Sequence, residues 1–383
     1  MNLVQSIFKK QTGWITRKQT DEFKSESANL VLAFGTKEVI LTNNIFEQLK
    51  ELYPNADIVT SSTAGEIIGV NVEVDSVVAT AIQFCKTDIR CHQVHIEDFD
   101  NSESVGKTIS ETLDDETLRH ILVFSDGQLV NASALVNGLN KYVRDGVIVS
   151  GGLAGDGPNF GTTVVGLNDE IGNGNIVAIG FYGDDLHISC GSKGGWDEFG
   201  PFRTVTKASG NVLYELDGKS ALDLYKRYLG PQAENLPYSA LLFPLSMKVG
   251  QGEDATSVVR TTHNIDEEEN SLILSGEIEE GAIVRMMKGN FDRLIEGAAQ
   301  AARDSQAKNG HTPPELVLLV SCAGRKLVLD QRIEEELEAV EEVFGEDSFY
   351  TGFYSYSELS PSKPGGQCDL HNQTMTLTTY TEL

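Results

Sequence analysis

The sequence has little positive charge for its length. It contains 30 Lys and Arg residues against 57 Asp and Glu residues, which gives a formal net charge of -27 at pH 7. A surface of this sign repels nucleic acid and anionic lipid, so we expect neither as the main partner. The acidic surface favours solubility and would suit a basic patch on a partner protein.

Long apolar runs and a cysteine framework are also missing. No apolar stretch approaches the roughly 20 residues that a membrane-spanning helix needs. Residues 1–14 have no apolar core of signal-peptide length, and Lys9 and Lys10 interrupt them. The five cysteines are scattered and odd in number, which suits a reducing compartment. We therefore predict a cytoplasmic protein without a membrane partner.

The chain does contain a unit that appears three times. Each copy begins with an apolar run, at Leu30, Ile121 and Leu316, that is typical of a strand covered on both faces. After this run each copy has a helical stretch, a second strand, a turn of small residues and a further strand. The second strand is residues 349–355 in the third copy, and the further strand is residues 175–182 in the second copy. At 383 residues the chain can hold two or three domains. The pattern predicts an α/β (α+β) fold, in which repeated strand-helix-strand-turn-strand units form two layered sheet domains.

Three acidic residues, Glu66, Asp156 and Glu358, end the turns of the three copies. Loops at strand ends commonly carry function. We therefore predict that these carboxylates occupy equivalent places and accept a cationic group of a ligand. The structural alternative is that each carboxylate accepts neighbouring backbone N–H groups and merely fixes its turn.

The other predicted ligand contacts lie in the last part of the chain. Arg325 could bind a ligand carboxylate through its paired donors. Tyr354 and Tyr356 could form an apolar wall, and Asn372 is a further polar contact.

Cys322, His371 and Asn372 are also the residue types of a cysteine-hydrolase triad. Cys322 follows an apolar strand, and Arg325 could lower its pKa. These residue types occur together by chance in most chains. A thiol-dependent hydrolase that uses Cys322 and His371 therefore stays an alternative to a protein without catalytic activity.

Two further motifs do not support the sites that they suggest. The glycine-rich residues 151–157 would need a helix directly after them to bind a dinucleotide, whereas Pro158 and a strand-like run follow. His92 and His95 are three apart in an extended segment, so they would point to opposite faces. No second ligand pair has a metal-site spacing, and we expect no metal site.

Residues 352–361 and 368–378 resemble the signature of the FIST C domain. Residues 281–287 and 321–325 fit the same domain, although Ser357 stands where family members commonly have glycine. Residues 61–69 and 151–157 resemble the companion FIST N motifs. The resemblance implies a lead-in of residues 1–28, a FIST N-like domain of residues 29–200 and a FIST C-like domain of residues 201–383.

This resemblance implies a sensory module for signal transduction rather than an enzyme. Such a module would bind a small ligand, such as an amino acid. It would act on a separate signalling protein, such as a histidine kinase or a diguanylate cyclase or phosphodiesterase.

Haem b is the second expectation, because some free-standing bacterial proteins similar to this chain are haem-based sensors of nitric oxide. A haem iron often takes an axial histidine, and His371, His187 and His263 are the candidates, of which at most one is expected. No Cys-x-x-Cys-His is present, so haem would be held without a covalent bond.

Overall fold

A computed structural model describes residues 1–157, 161–249, 256–307, 313–363 and 365–383. No helix within these ranges is long and apolar enough to cross a membrane. The strands up to residue 193 are β1 (Asn2–Lys9), β2 (Gly13–Gln19), β3 (Leu30–Gly35), β4 (Asp57–Ser62), β5 (Glu66–Ile68), β6 (Asn71–Glu73), β7 (Ser76–Gln83), β8 (Asp88–His95), β9 (Leu118–Ser125), β10 (Ile148–Leu153), β11 (Val165–Leu167), β12 (Glu170–Gly172), β13 (Asn175–Tyr182) and β14 (Leu186–Lys193). The helices of this part are α1 (Lys37–Thr42), α2 (Ile45–Leu52), α3 (Ser102–Leu113) and α4 (Ala132–Tyr142).

The second half begins with strands that belong to none of the repeated units. These strands are β15 (Asp197–Ser209), β16 (Val212–Leu216), β17 (Lys219–Ser220), β18 (Leu245–Val249), β19 (Thr256–Arg260), β20 (Thr262–Asp266), β21 (Ser271–Leu274) and β22 (Ile283–Lys288). The later strands are β23 (Leu316–Cys322), β24 (Phe349–Ser355), β25 (Ser357–Pro361), β26 (Cys368–His371) and β27 (Met375–Glu382). The helices are α5 (Ala221–Leu229), α6 (Phe291–Gln306), α7 (Ala323–Leu329) and α8 (Glu335–Phe344).

Asparagine side chains begin three of these helices. The Oδ1 atoms of Asn101, Asn131 and Asn290 accept hydrogen bonds from backbone N–H groups three residues later, at the starts of α3, α4 and α6. Each bond satisfies a donor that has no partner within its helix. Leu135 and Leu139 then form the buried stripe of α4, as expected for a helix with one apolar face.

Each of the three predicted units forms a sheet around a parallel pair of strands. The first unit is β3–β7, the second is β9–β13 and the third is β23–β27. In each unit the first two strands are parallel, and the last strand lies antiparallel beside the first. The prediction of an α/β fold with repeated units is confirmed.

The three sheets are linked into a closed ring, because each unit gives its third and fourth strands to the sheet of another unit. We call these strand pairs the exchanged hairpins. The hairpin β5–β6 pairs with β24 of the third unit, β25–β26 pairs with β10 of the second, and β11–β12 pairs with β4 of the first. No unit completes its sheet without a hairpin from another unit.

Side chains from the inner faces of the three sheets meet in one apolar core. Phe34 of the first unit stacks on Phe353 of the third, with ring centroids 4.8 Å apart, and meets Phe124 of the second at 5.5 Å. The helices cover the outer faces with separate apolar layers. Burial on both faces explains why the first strands read as continuous apolar runs.

Residues 197–288 form a second body, which we call the inserted sheet. Its strands β15–β22 pack with α5 around a core of their own. The three units, with β1, β2, β8 and β14, form the repeat body. The chain enters and leaves the inserted sheet side by side, since Asp197 accepts hydrogen bonds from Asn290 at 3.4 Å and from Arg293. The domain boundary predicted between residues 200 and 201 falls inside β15, and β14 pairs with β27 of the third unit.

The glycine-rich segment begins inside a strand and not in a turn. Gly151 has φ +146°, and a Cβ atom there would lie 1.9 Å from the carbonyl oxygen of Val123. A Cβ atom at Gly152 would lie 2.5 Å from Cγ1 of Val320. These glycines allow close packing between strands. Pro158, which was predicted to follow the turn, lies outside the described residues.

We predict that Gly151→Ala lowers the free energy of unfolding by about 2 kcal/mol or more, because the added methyl group forces the backbone of β9 or β10 to move. Gly172→Ala is the matched control, since its Cβ atom would meet nothing closer than Asn175 Nδ2 at 3.6 Å. Urea unfolding of both variants measures the difference. Equal stability of the two variants would contradict the packing argument.

Candidate functional site

The second strands of the three units interlock where they end. Tyr356, predicted as a ligand wall, is buried at this place, and its hydroxyl donates to the carbonyl oxygen of Gly157 at 3.2 Å. Several backbone hydrogen bonds join the units here, and we call three of them, one for each pair of units, the strand-end ring. They run from Ala64 N to Tyr354 O at 2.8 Å, from Tyr356 N to Leu153 O at 3.2 Å and from Gly155 N to Ser62 O at 3.0 Å.

Glu66 lies buried beside the strand-end ring. Its carboxylate accepts hydrogen bonds from Thr63 Oγ1 at 2.6 Å and from Ser76 Oγ at 2.8 Å. Burial raises the pKa of Glu66 to about 7, although these hydroxyl donors and the charge of Lys326 act in the opposite direction. The side chain holds the start of β5.

Glu358 has the same surroundings in the third unit. It accepts hydrogen bonds from Ser355 Oγ at 2.8 Å and from Thr374 Oγ1 at 2.9 Å. In both units one hydroxyl donor lies three residues before the acid. The other donor lies near the start of the last strand of the unit, since Ser76 begins β7 and Thr374 directly precedes β27. Burial raises the pKa of Glu358 to about 8. For these two acids the predicted equivalence holds, and both are buried within the protein. Their donors are mainly side-chain hydroxyls and not the backbone N–H groups of the structural alternative, although Thr374 N also donates to Glu358 Oε2 at 3.2 Å.

Asp156 does not share this position. Each exchanged hairpin pairs with the second strand of another unit. In that pairing Val165 of β11 takes the position that Glu66 takes in β5 and Glu358 takes in β25. Asp156 lies earlier, and its Oδ2 atom forms an ion pair with Lys37 Nζ at 2.9 Å. The prediction of three equivalent acids is wrong for Asp156, because the segment between β10 and β11 is longer than its counterparts.

The second unit takes its buried carboxylate from the end of β9. Asp126 accepts hydrogen bonds from Thr163 Oγ1 at 2.8 Å and from Gly174 N at 3.1 Å. The backbone N–H groups of Gln128 and Leu129 also donate to it, at 2.7 and 2.6 Å. An aspartate directly after an apolar strand was the signal in the sequence that could have identified it.

Arg325 and Tyr354 belong to a buried network and not to a ligand site. Arg325 Nε and Nη2 donate to Glu336 Oε2 at 3.0 and 2.7 Å, and Tyr354 OH donates to Glu336 Oε1 at 2.7 Å. Arg325 also donates to the carbonyl oxygens of Gly194 and Leu294. Four of its five N–H donors are thus used inside the protein. We replace the predicted ligand role of both residues with a structural one, since breaking a buried pair typically costs about 3–5 kcal/mol.

The thiol-hydrolase alternative lacks its geometry. Burial, and after it the charge of Glu358, raises the pKa of the buried Cys322 thiol well above its usual range, so the reactive thiolate is disfavoured at neutral pH. His371 Nε2 pairs with the carbonyl oxygen of Ser360 at 2.9 Å. Within the described residues no hydrogen bond joins Cys322 to His371. The arrangement does not activate a nucleophile.

A cleft of about 450 Å³ opens between the repeat body and the inserted sheet. One wall is the loop after β9 and the start of α4, residues 127–132, and the opposite wall is residues 273–277. His263 and Asn211 of the inserted sheet and Ser357 of the repeat body complete the lining on the polar side. The cleft lies at the carboxyl end of a parallel strand pair, where α/β folds commonly bind ligands.

Asn372 connects the two bodies at this cleft. Its Nδ2 atom donates to Ser357 Oγ at 3.0 Å, and its Oδ1 atom accepts from Ser275 Oγ. Both serines line the cleft. The next residue, Gln373, makes a second connection, from its Nε2 atom to the carbonyl oxygen of Leu241 at 3.1 Å. Ser275, Gln373 and the cleft walls were not identified from the sequence.

The three candidate haem ligands lie in different places. His263 lines the cleft, and burial lowers its pKa to about 4, so its imidazole is neutral near pH 7. His187 lies on β14, with its Nε2 atom buried and without a hydrogen-bond partner among the described residues. Neither His187 nor His371 lines the cleft.

Comparison with known proteins agrees with this architecture. Residues 29–219 match the FIST N domain, and residues 221–361 match the FIST C domain. The chain belongs to the FIST family. FIST domains are sensory domains of signal transduction rather than catalytic domains, and the resemblance read from the C-terminal signature is confirmed.

A relative of this FIST protein occurs in Methanocaldococcus jannaschii, where it is described only as an uncharacterized protein. The two are 24% identical over 321 residues, which cover 76% of this chain and 59% of the relative. The chain therefore spans less than two thirds of the length of that relative.

The pKa of Glu358 makes the stability of this FIST protein depend on pH. The folded state holds the Glu358 proton up to about pH 8, whereas the ordinary value is 4.5. Holding this proton stabilises the folded state, and the stabilisation is complete below pH 4.5 and is lost as the pH rises to 8. We predict that Glu358→Gln gains stability relative to the wild type over this range, by on the order of 1–4 kcal/mol.

Urea unfolding at several values between pH 5 and pH 9 measures this effect. Glu66→Gln is the matched control, because the pKa of Glu66 is raised only to about 7 and its change should be complete at a lower pH. A difference between Glu358→Gln and the wild type that does not vary with pH would show that Glu358 is ionised in the folded state.

Proposed function

We propose that this FIST protein senses a small polar molecule that binds in the cleft between the repeat body and the inserted sheet. The observation that carries the proposal is that both bodies line the cleft and that Asn372 connects them there. A ligand that contacts both walls favours one relative position of the two bodies over others. Binding can thus be converted into a change that another protein detects.

The chemistry of the walls favours an amino-acid-like ligand. Asn131 accepts a hydrogen bond from the N–H group of Ala134, and the two earlier N–H groups of α4, at Ala132 and Ser133, have no partner within the helix and carry partial positive charge, which suits a carboxylate. On the opposite wall, the exposed Glu277 can accept an amino group through a charge-assisted hydrogen bond. Ser275 and Ser357 add neutral donors and acceptors. A molecule with one carboxylate and one amino group matches this distribution.

We propose further that the protein acts in the cytoplasm on a separate signalling protein, such as a histidine kinase or a diguanylate cyclase or phosphodiesterase. The sensory role of FIST domains supports this proposal. The net charge of -27 favours a partner that presents a basic surface. The same charge argues against nucleic acid and anionic membrane as main partners.

Screening the 20 amino acids by thermal unfolding tests the ligand. We expect at least one to raise the melting temperature, since a ligand at 100 times its Kd stabilises the folded state by about 2.7 kcal/mol. Glu277→Gln should weaken binding by about tenfold or more. Glu279→Gln, which changes an exposed glutamate outside the cleft lining, is the control. Equal affinities of the two variants, or no amino acid that binds, would exclude the amino-acid proposal.

Haem b is the second candidate, and one observation favours it. His263 lines the cleft with a neutral imidazole, the form that binds iron. The rest of the lining fits haem less well, because none of the described residues that line the cleft is Lys or Arg to pair with the haem propionates. The lining therefore fits a small polar ligand better than a porphyrin.

The absorption spectrum of the protein produced with an adequate haem supply tests this candidate. If haem binds in the cleft, the spectrum shows a sharp Soret band that His263→Ala abolishes. His187→Ala and His371→Ala should keep the band, since neither residue lines the cleft. A weak, broad band that all the variants share would indicate non-specific binding and remove haem from consideration.

A further inference from the structure

A second cavity, of about 200 Å³, lies on the strand-end side of the first and third units. It shares no lining residue with the cleft. Ala64 and Lys326 of the repeat body form one side, and Tyr238 and Leu241, which precede β18, form the other. Since one water occupies about 30 Å³ in the liquid, the cavity has room for a small organic molecule.

Lys326 brings a half-buried amine to this cavity. Its Nζ atom donates to the carbonyl oxygen of Ala64 at 2.6 Å and lies 5.9 Å from the ring centroid of Tyr354. An ammonium group has three N–H donors, and the described residues provide one hydrogen-bond acceptor for it. Two donors therefore have no acceptor among the described residues, which is unfavourable for a partly buried charge.

No carboxylate of the described residues forms an ion pair with Lys326. Glu66 is the acidic group whose charge acts on Lys326, but its carboxylate is buried and accepts hydrogen bonds from Thr63 and Ser76. Asp330 also lines the cavity, yet it is exposed to solvent. An anion inside the cavity would supply the acceptors that the Lys326 ammonium lacks.

Part of the lining is apolar. Leu241, Leu327 and Ala323 line the cavity near Lys326, and such a surface favours a short hydrocarbon group. We propose that the cavity is a second ligand site, which binds a short-chain monocarboxylate through a charge-assisted hydrogen bond from Lys326 Nζ, with the hydrocarbon part against Leu241 and Leu327. This proposal does not depend on the function proposed for the cleft.

Calorimetric titration with butyrate tests the site, and butyramide, which has the same shape without the charge, is the control ligand. We expect butyrate to bind, and Lys326→Met to weaken it about tenfold to a hundredfold. Lys288→Met, which changes an exposed lysine outside the cavity, should leave the affinity unchanged. Amino-acid binding in the cleft should also be unchanged in Lys326→Met, so the two proposals fail separately.

A second variant keeps the experiment decisive if Lys326→Met folds poorly. Ala323→Phe keeps the lysine and adds a ring to the cavity wall, so it should abolish butyrate binding. No binding of butyrate to the wild type would overturn the proposal. Equal affinities for butyrate and butyramide, equal losses in Lys326→Met and Lys288→Met, or undiminished binding in Ala323→Phe would each overturn it as well.

Discussion

The exchange of hairpins among the three units is the constraint on which the rest of the structure depends. Each second strand finds its outer neighbour in another unit, and the strand-end ring adds one backbone hydrogen bond to each of the three junctions. A single unit would leave a sheet edge unpaired and one face of its apolar strands exposed. The three units therefore form one cooperative body, and the shared core of phenylalanines becomes dry only when all three are present.

The strand-end ring also explains the buried acids. Where three strand ends converge, backbone and hydroxyl donors crowd together and need acceptors. Glu66, Glu358 and Asp126 supply those acceptors from two different strand positions. The acids satisfy the junctions, and the two cavities lie outside them, where the inserted sheet faces the strand ends. The three units form the surface of strand ends, and the cavities form where the inserted sheet covers this surface.

Local pattern predicted the scaffold well and the site poorly. The predicted strands at residues 175–182 and 349–355 agree with β13 and β24, because apolar runs report burial within a few residues. The equivalence of Asp156 failed, since a longer segment before β11 changes which residue faces the neighbouring strand. Arg325 was assigned to a ligand because its partner Glu336 is recognised only from the folded helix. The hydrogen bond between Ser275 and Asn372 joins residues 97 positions apart, so no local sequence pattern could have predicted it.

The side-by-side crossing of the chain at Asp197, Asn290 and Arg293 has a mechanical consequence. Because both covalent connections lie at one place, any change in the position of the inserted sheet has to bend the chain there and break the contacts that Asn372 and Gln373 make elsewhere. Its ends also meet closely enough that a different sheet could occupy the same place without disturbing the repeat body. A scaffold of this kind can acquire new ligand specificities by replacing its cover alone.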